Sequence, residues 1–303
     1  MSKLETIDLT RCSLSEPQLF KIFETISSSE KVRSLSLWGI GVSKIPPEYF
    51  LQLGFRLEQI NFSHASLTKD QLTNLLKGIS RARKLKSLKI ADMRINFHQL
   101  ESGLLAGCIS DKTELLDLFN TSIFGVEVIS SPAVDLLITR LQNPHNMSTL
   151  CLNNINLNIL KTSPGILASS LAGIPRIGLS GCFPSDQGII NTILKEIILQ
   201  KRVKSLDLSL NNLSSVEPSI LGQLVIAIKH VDLSQTCLTI QQITDILASL
   251  SHSPKLETLN LSSNNLSQVE PYLLNNLLTL SCAYLNSTRL KPDHVVQLIT
   301  KGL

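Results

Sequence analysis

Apolar residues fall along this chain in two alternating spacings. In Leu4-Glu-Thr-Ile-Asp-Leu-Thr-Arg-Cys-Ser-Leu14 they occupy the first, fourth, sixth and eleventh places, and a longer stretch with helical spacing follows. The same pattern recurs from Val32, Leu57, Leu85, Thr113, Met147, Ile174, Val203, Ile228, Leu256 and Leu280, at intervals of 24 to 34 residues. Its four apolar places are filled in 42 of 44 cases, the exceptions being Thr113 and Pro184. Fixed-period self-similarity of this length is the mark of a repeat architecture in which each unit buries its face on the next. The short apolar-alternating piece predicts a strand. The piece behind it predicts a helix, as in Leu72, Leu75, Leu76, Ile79 and in Ile189, Ile190, Ile193, Leu194, Ile197. Thr68 with Gln71 and Thr239 with Gln242 predict capping boxes, while Ser131-Pro132 and Ser185 predict further helix starts. A helix over Pro292 to Thr300 or polar terminal residues would close the last repeat.

These residues resemble leucine-rich repeats, most clearly in Val203-Lys-Ser-Leu-Asp-Leu-Ser-Leu-Asn-Asn-Leu213 and Leu256-Glu-Thr-Leu-Asn-Leu-Ser-Ser-Asn-Asn-Leu266. The interval near 28 and the long apolar return segment are similar to the ribonuclease-inhibitor-like subclass. The resemblance implies an α/β solenoid of about eleven repeats, a curved horseshoe with parallel strands on its concave face and helices on its convex face. It covers residues 1–303 as one domain, with an irregular longer repeat at about 113–146, where about six extra residues around Phe124 to Ser130 predict a loop or bulge. The ninth place, Asn or Cys in the family, holds Cys12, Cys182, Asn211 and Asn264 but also Ile40, Met93 and Ile155, for which a looser turn is expected.

Composition agrees with a small unit used many times. The chain has 56 leucines against nine Phe, three Tyr and one Trp, and charged residues make up 17 % with a net charge of +4. That balance excludes a disordered chain and is too weakly basic to suggest nucleic acid by itself. No two of the six cysteines are closer than 31 residues, so neither a zinc knuckle nor a CxxC motif occurs, and reduced thiols are expected. The start of the chain shows no signal peptide, and no run is apolar enough to span a membrane. Seven Asn-x-Ser/Thr sequons would be glycosylation hazards in a eukaryotic secretory pathway. A cytoplasmic working place is expected.

Strand side chains alternate, so the third, fifth and seventh places of each copy, with the eighth, should line the concave face. They are mainly Ser, Thr, Asn and Asp, the exceptions being Trp38, Phe119, Leu115, Tyr284, Cys151 and a few charges. Trp38 is the single tryptophan and is expected to stand open to solvent. An aromatic held on a rigid sheet is the kind of anchor that contributes about 2 kcal/mol or more to a protein complex. Asp8, Asp117, Asp207 and Asp232 make an interrupted acidic stripe, which solvated polar strands would explain as well as a partner would. With Lys89 and Arg176, the face carries three basic residues against five acidic ones, the wrong sign for nucleic acid. The basic cluster Lys77, Arg81, Arg83, Lys84 and Lys86 falls at a helix-to-strand junction away from that face.

Catalysis needs convergence, and the repeat register separates the candidates. Cys151 and His230 lie three repeats apart, about 15 Å, too far for a thiolate pair. Ser205, His230 and Asp232 are close enough for a triad, yet an open sheet neither excludes water nor supplies an oxyanion hole. Three ordinary strand residues explain them better. No histidine has metal-site spacing, no glycine-rich phosphate loop occurs, and no cofactor, metal, small-molecule substrate or membrane contact is expected.

The reading that follows is a non-catalytic protein-binding module. Its expected contact residues are Trp38, Lys89, Asp117, Phe119, Cys151, Arg176, Asp207, His230, Asp232 and Tyr284. Similarity to ribonuclease-inhibitor-like proteins implies an inhibitor that covers the active site of an enzyme partner in a 1:1 complex. Similarity to the leucine-rich effectors that intracellular bacteria such as Legionella deliver into host cytosol implies a host protein or a fellow effector as partner. The alternative is a scaffold or adaptor effector that recruits host proteins, for example to ubiquitin or signalling machinery.

Overall fold

The copies fold alike because, in all but the first and last, the fourth and sixth places bury apolar side chains while the third and fifth stay more exposed. The computed structural model describes residues 4–92, 100–101, 103–118, 132–142, 146–157, 163–183 and 188–302. They fall into two units, Met1–Ile155 with Ile159–Thr162 and Asn156–Asn158 with Ser163–Leu303. The first holds strands β1 (Thr6–Asp8), β2 (Ser34–Ser36), β3 (Gln59–Asn61), β4 (Ser87–Lys89), β5 (Leu115–Asp117) and β6 (Thr149–Cys151). Its helices are α1 (Glu16–Ser28), α2 (Pro47–Arg56), α3 (Lys69–Ala82), α4 (Leu104–Gly107) and α5 (Pro132–Arg140). The second holds β7 (Arg176–Gly178), β8 (Ser205–Asp207), β9 (His230–Asp232), β10 (Thr258–Asn260) and β11 (Cys282–Tyr284). Its helices are α6 (Pro164–Ala172), α7 (Gly188–Gln200), α8 (Pro218–Ala227), α9 (Ile240–Ser249), α10 (Pro271–Leu274) and α11 (Pro292–Gly302).

Each strand occupies the third to fifth places of its copy, so the register expected from sequence holds in all eleven. Within each unit neighbouring strands are parallel and in step: Ile7 faces Leu35, Leu35 faces Ile60, and Leu206 faces Val231. Short parallel strands joined by helices bury both neighbours of a repeat, and the central leucines of β2 and β8 are 2 % and 1 % exposed. A fully buried Leu or Phe contributes roughly 1.5–3 kcal/mol. In the first unit three phenylalanines extend this core, with Phe23 and Phe62 ring centroids 5.1 and 5.8 Å from that of Phe50. Thr113 stands in a leucine place and is fully buried, but its hydroxyl accepts the Ser110 N–H at 3.0 Å and lies 3.0 Å from the Cys108 carbonyl. Its polar atom is therefore satisfied.

The turn after each strand has one geometry throughout. The eighth residue of every described copy has a left-handed backbone: Arg11, Gly39, His64, Asp92, Asn154, Gly181, Leu210, Gln235, Ser263 and Ser287, with φ between 53° and 74°. Only two are glycines, although a left-handed L-residue is disfavoured by about 1–2 kcal/mol. A hydrogen bond repeated up the stack holds them. The N–H of Arg11 donates to Trp38 O, that of Gly39 to Ser63 O, that of Gln235 to Ser262 O and that of Ser263 to Asn286 O, all at 2.8 to 3.0 Å. The ninth residue then donates back to the sixth, as Ile40 does to Leu37 and Ile155 to Leu152. The copies lacking Asn or Cys, expected to be looser, keep this bond at 3.1 and 2.9 Å. Met93 lies outside the described residues. So do Phe124 to Ser130 and Ser185, while α5 begins at Pro132 as expected.

Repeats also lock in pairs. The boxes Thr68/Gln71 and Thr239/Gln242 form as expected, and a third forms at Ser15/Gln18. Gln71 and Gln242 are each 1 % exposed and reach back into the repeat before. The Gln71 amide donates to Val42 O and Ile45 O at 2.9 and 2.6 Å, and that of Gln242 to Leu213 O and Val216 O at 2.7 and 2.6 Å. α2 and α3 approach so closely that a Cβ on Gly54 would collide with the Leu75 carbonyl and one on Gly78 with that of Leu51.

Candidate partner-binding face

The half-exposed strand places and the left-handed turn bring side chains from successive repeats into rows. In the first unit the fullest row runs across four copies. The Arg11 guanidinium lies over the Trp38 ring, 4.2 Å from its centroid. The His64 ring meets Trp38 edge-on, with centroids 5.1 Å apart and planes at 71°. His64 Nε2 in turn lies 3.1 Å from Asp92 Oδ2. Trp38 is therefore half-buried, not the open ring expected from sequence, because two neighbours cover it. Arg11, His64 and Asp92 all hold the eighth place, and its left-handed backbone turns them toward the same rim. Gly39 holds that place beside Trp38, where a Cβ would meet Arg11 Cγ at 3.7 Å with φ at +74°. An exposed cation–π contact is worth roughly 0.5–1 kcal/mol, enough to bias the indole toward one orientation before any partner arrives.

Sequence reasoning reached Trp38 but not its row. In the sequence Arg11 and Asp92 are only charges on the face, and His64 belongs to no motif. Their shared place in the repeat was the signal that joins them.

Lys89, Asp117 and Cys151 close β4, β5 and β6 and stand opposite one another in register, each half-buried. Phe119 lies outside the described residues. The acidic stripe has a local use. Asp8 accepts both the N–H and the hydroxyl of Thr10, at 2.9 and 2.5 Å, and these bonds hold its carboxyl below the ordinary aspartate value of 3.8. In the second unit Asp207 holds Ser209 by N–H and hydroxyl at 2.9 and 2.6 Å, and Asp232 holds Ser234 at 2.8 and 2.6 Å. Each carboxylate fixes the residue two places on, the usual Asx arrangement. Asp232 also accepts the Asn260 amide at 2.9 Å, and His230 Nδ1 lies 3.1 Å from the Thr258 hydroxyl. His230 and Asp232 are thus each hydrogen-bonded to residues other than Ser205. Arg176 is exposed on β7, and Tyr284 is 47 % exposed at the end of β11.

Away from the strands, Glu58 pairs with Lys86 at 2.8 Å and Arg33 at 3.9 Å, and Lys77 pairs with Glu101 at 3.0 Å. The Lys86 ammonium, with Arg33 behind it, holds the Glu58 carboxyl below the ordinary glutamate value. The basic cluster is thereby partly neutralised. Burial pushes the Cys108 thiol up, away from reactivity. Among the described residues no helix is long and apolar enough to cross a membrane.

Residues 202–224 and 255–277 match the family model described as Leucine Rich Repeat. Both matched segments carry the Asn-Asn turn, and Asn211 and Asn264 are the residues that bond it most fully. No curated protein matches the chain significantly. Among solved structures, the fold is similar to that of the leucine-rich repeat-containing protein LegL7 from Legionella pneumophila. That likeness has a TM-score of 0.56 at 17 % identity and covers 98 % of this chain and 97 % of that one. It is also similar to a chain of the yeast Rad7 and Elc1 complex, with a TM-score of 0.51 at 17 % identity over 85 % of this chain and 69 % of that one. The eleven registered strands and these neighbours make the fold a leucine-rich-repeat solenoid, and two segments of the chain match the leucine-rich-repeat family.

Proposed function

We propose that this protein binds a protein partner through the exposed face of its strands, anchored at Trp38, and acts by covering that partner's functional surface. The observation that carries this reading is the row Arg11, Trp38, His64 and Asp92. It presents an aromatic ring already oriented, flanked by the Arg11 cation and by the His64–Asp92 contact, on a hydrogen-bonded stack. Preorganisation of this kind lowers the entropy lost on binding. Lys89, Asp117 and Cys151 extend the contact within the first unit. In the second unit, taken by itself, Arg176, Asp207, His230, Asp232 and Tyr284 are the proposed contact residues. Covering an enzyme's active site in a 1:1 complex is the form of action favoured, with no chemistry contributed by this chain. The six cysteines, none of them in a disulfide, support a reducing, cytoplasmic place of action. The likeness to a Legionella protein supports delivery into a host as an effector. A scaffold that recruits host proteins is the second reading, supported by the neighbour found in a complex with Elc1.

The test is affinity capture from a host lysate, followed by titration of the captured protein with the wild-type chain and with Trp38→Ala. A loss of about 2 kcal/mol or more, with the partner's activity restored, supports occlusion. Unchanged affinity sinks the anchor. Simultaneous binding of two proteins favours the scaffold.

A further inference from the structure

Three helices begin with a buried third residue that accepts the N–H of the capping residue, and one of them carries a titratable residue where the others carry an amide. At α3 and α9 the third helical residue is a buried glutamine whose side-chain oxygen accepts the N–H of the capping threonine at 2.8 Å. At α11 the cap is Lys291 and the third residue is His294. His294 is 3 % exposed, and its Nδ1 lies 3.2 Å from the Lys291 nitrogen. Nδ1 therefore takes the part of the glutamine oxygen, which requires a lone pair there and the ring proton on Nε2. Glutamine cannot lose that acceptor by titration. Histidine can, since an imidazolium carries N–H groups on both nitrogens.

We propose that His294 is a pH-sensitive latch: unprotonated, it closes the first turn of α11, and protonated, it opens it. A proton on Nδ1 sets N–H against N–H at the helix start and adds a cation where the free N–H groups of the first turn favour an anion. Little around the ring offsets that charge. The elements packed on α11 are α10 and the 3-10 turn Asn275–Thr279, whose sequences contain no acidic or basic residue. Tyr272 is their one titratable side chain and is 64 % exposed. Glu270 stands just ahead of α10, Arg289 in the preceding turn, and Cys282 and Tyr284 on β11. α11 itself contributes Asp293 and Lys301. Among the described residues no carboxylate forms an ion pair with His294, whereas His64 has Asp92.

The consequence is specific to this end of the second unit. α11 packs against the segment that holds Leu273, Leu274 and Leu277 in the core, and its outer side already exposes Val295, Val296 and Ile299. Opening its first turn adds apolar surface to a place that already has some, so mild acid should loosen this repeat while α3 and α9 stay closed. This inference is independent of which partner the strand face binds.

The experiment is hydrogen exchange of the full chain at about pH 7.5 and about pH 5, corrected for intrinsic rates, with α9 as the internal control. The expected result is a roughly tenfold or greater loss of protection in the first turn of α11 at the lower pH, with α9 unchanged. His294→Gln should keep α11 protected at both values, and His294→Ala should leave it unprotected at both. Equal protection of wild-type α11 at the two pH values, or the same acid loss in His294→Gln, overturns the proposal. If either variant fails to fold, the wild type still decides by NMR. The Lys291 amide resonance should titrate together with the His294 ring, and an amide that ignores the ring's titration overturns the latch.

Discussion

The two units build the same turn from different materials. In the second, Asn211 closes the turn by donating to Leu179 O, Leu208 O and Ser209 O at 2.9, 2.8 and 3.2 Å while accepting the Phe183 N–H at 2.8 Å. Asn264 does the same work with Leu233 O, Leu261 O and the Leu238 N–H at 2.7, 3.1 and 3.2 Å. In the first unit Ile40, Ala65 and Ile155 stand at that place, and the backbone bond alone sets the turn. The left-handed residue before it is common to both. The turn is thus a property of the stacked backbone, and the asparagine reinforces it. The aspartate clip occurs in both units, at Asp8, Asp207 and Asp232, and side chains of neighbouring repeats bond one another in both; the first unit adds the row of Arg11, Trp38 and His64.

That contrast can be broken at several points. The largest effect is expected at Gly54→Ala in the first unit, where the new methyl has to displace the Leu75 carbonyl, a loss of about 3 kcal/mol or more by urea unfolding. Gly222→Ala in the second unit meets the Ser249 hydroxyl at 2.6 Å, which can rotate away, and the Asp245 carbonyl at an ordinary contact distance of 3.4 Å, and should lose about 1 kcal/mol. Equal losses would show that the close helix pair of the first unit has no special role. Next, Asn211→Leu should cost about 3 kcal/mol because it strands buried backbone groups, whereas Ile40→Leu at the same turn place should cost under about 1.5 kcal/mol. A cheap Asn211→Leu would mean that the backbone suffices in both units. Smaller still, Trp38→Ala should lower stability by about 1 kcal/mol, its main effect falling on binding. The smallest concerns Asp8. Its lowered carboxyl contributes stability above 3.8, the unfolded value, and loses it as pH falls through the lower folded one. Followed by NMR, Asp8 should titrate below 3.8 in the wild type and return toward it in Thr10→Val.

Much of the fold was legible because the same short apolar pattern opens every copy, whatever the interval. Leu4, Val203 and Leu256 announce their copies by spacing alone, and all eleven strands lie where the register put them. The capping boxes at Thr68 and Thr239 were legible too, since a helix start is a local matter of hydrogen-bond chemistry. What the sequence did not reveal is non-local. That Gln71 would reach two carbonyls of the repeat before, or that Gly54 would touch a neighbouring helix, depends on residues about 20 to 30 places away. The left-handed eighth place was hidden because residues such as Arg, Leu, Gln and Ser fill most copies and glycine only two. The candidate site was half legible. Trp38 stood out as the single tryptophan, while Arg11 and His64 look ordinary until the turn aims them at its ring.

The central claim is that the strand face carries partner binding, with its strongest point at the rim of the first unit. The most direct measurement is hydrogen exchange of the chain alone and with its captured partner. Protection concentrated at Arg11, Trp38, His64 and the ends of β1 to β4 is the expected result. Protection confined to the helices, with those residues exchanging as before, would contradict it.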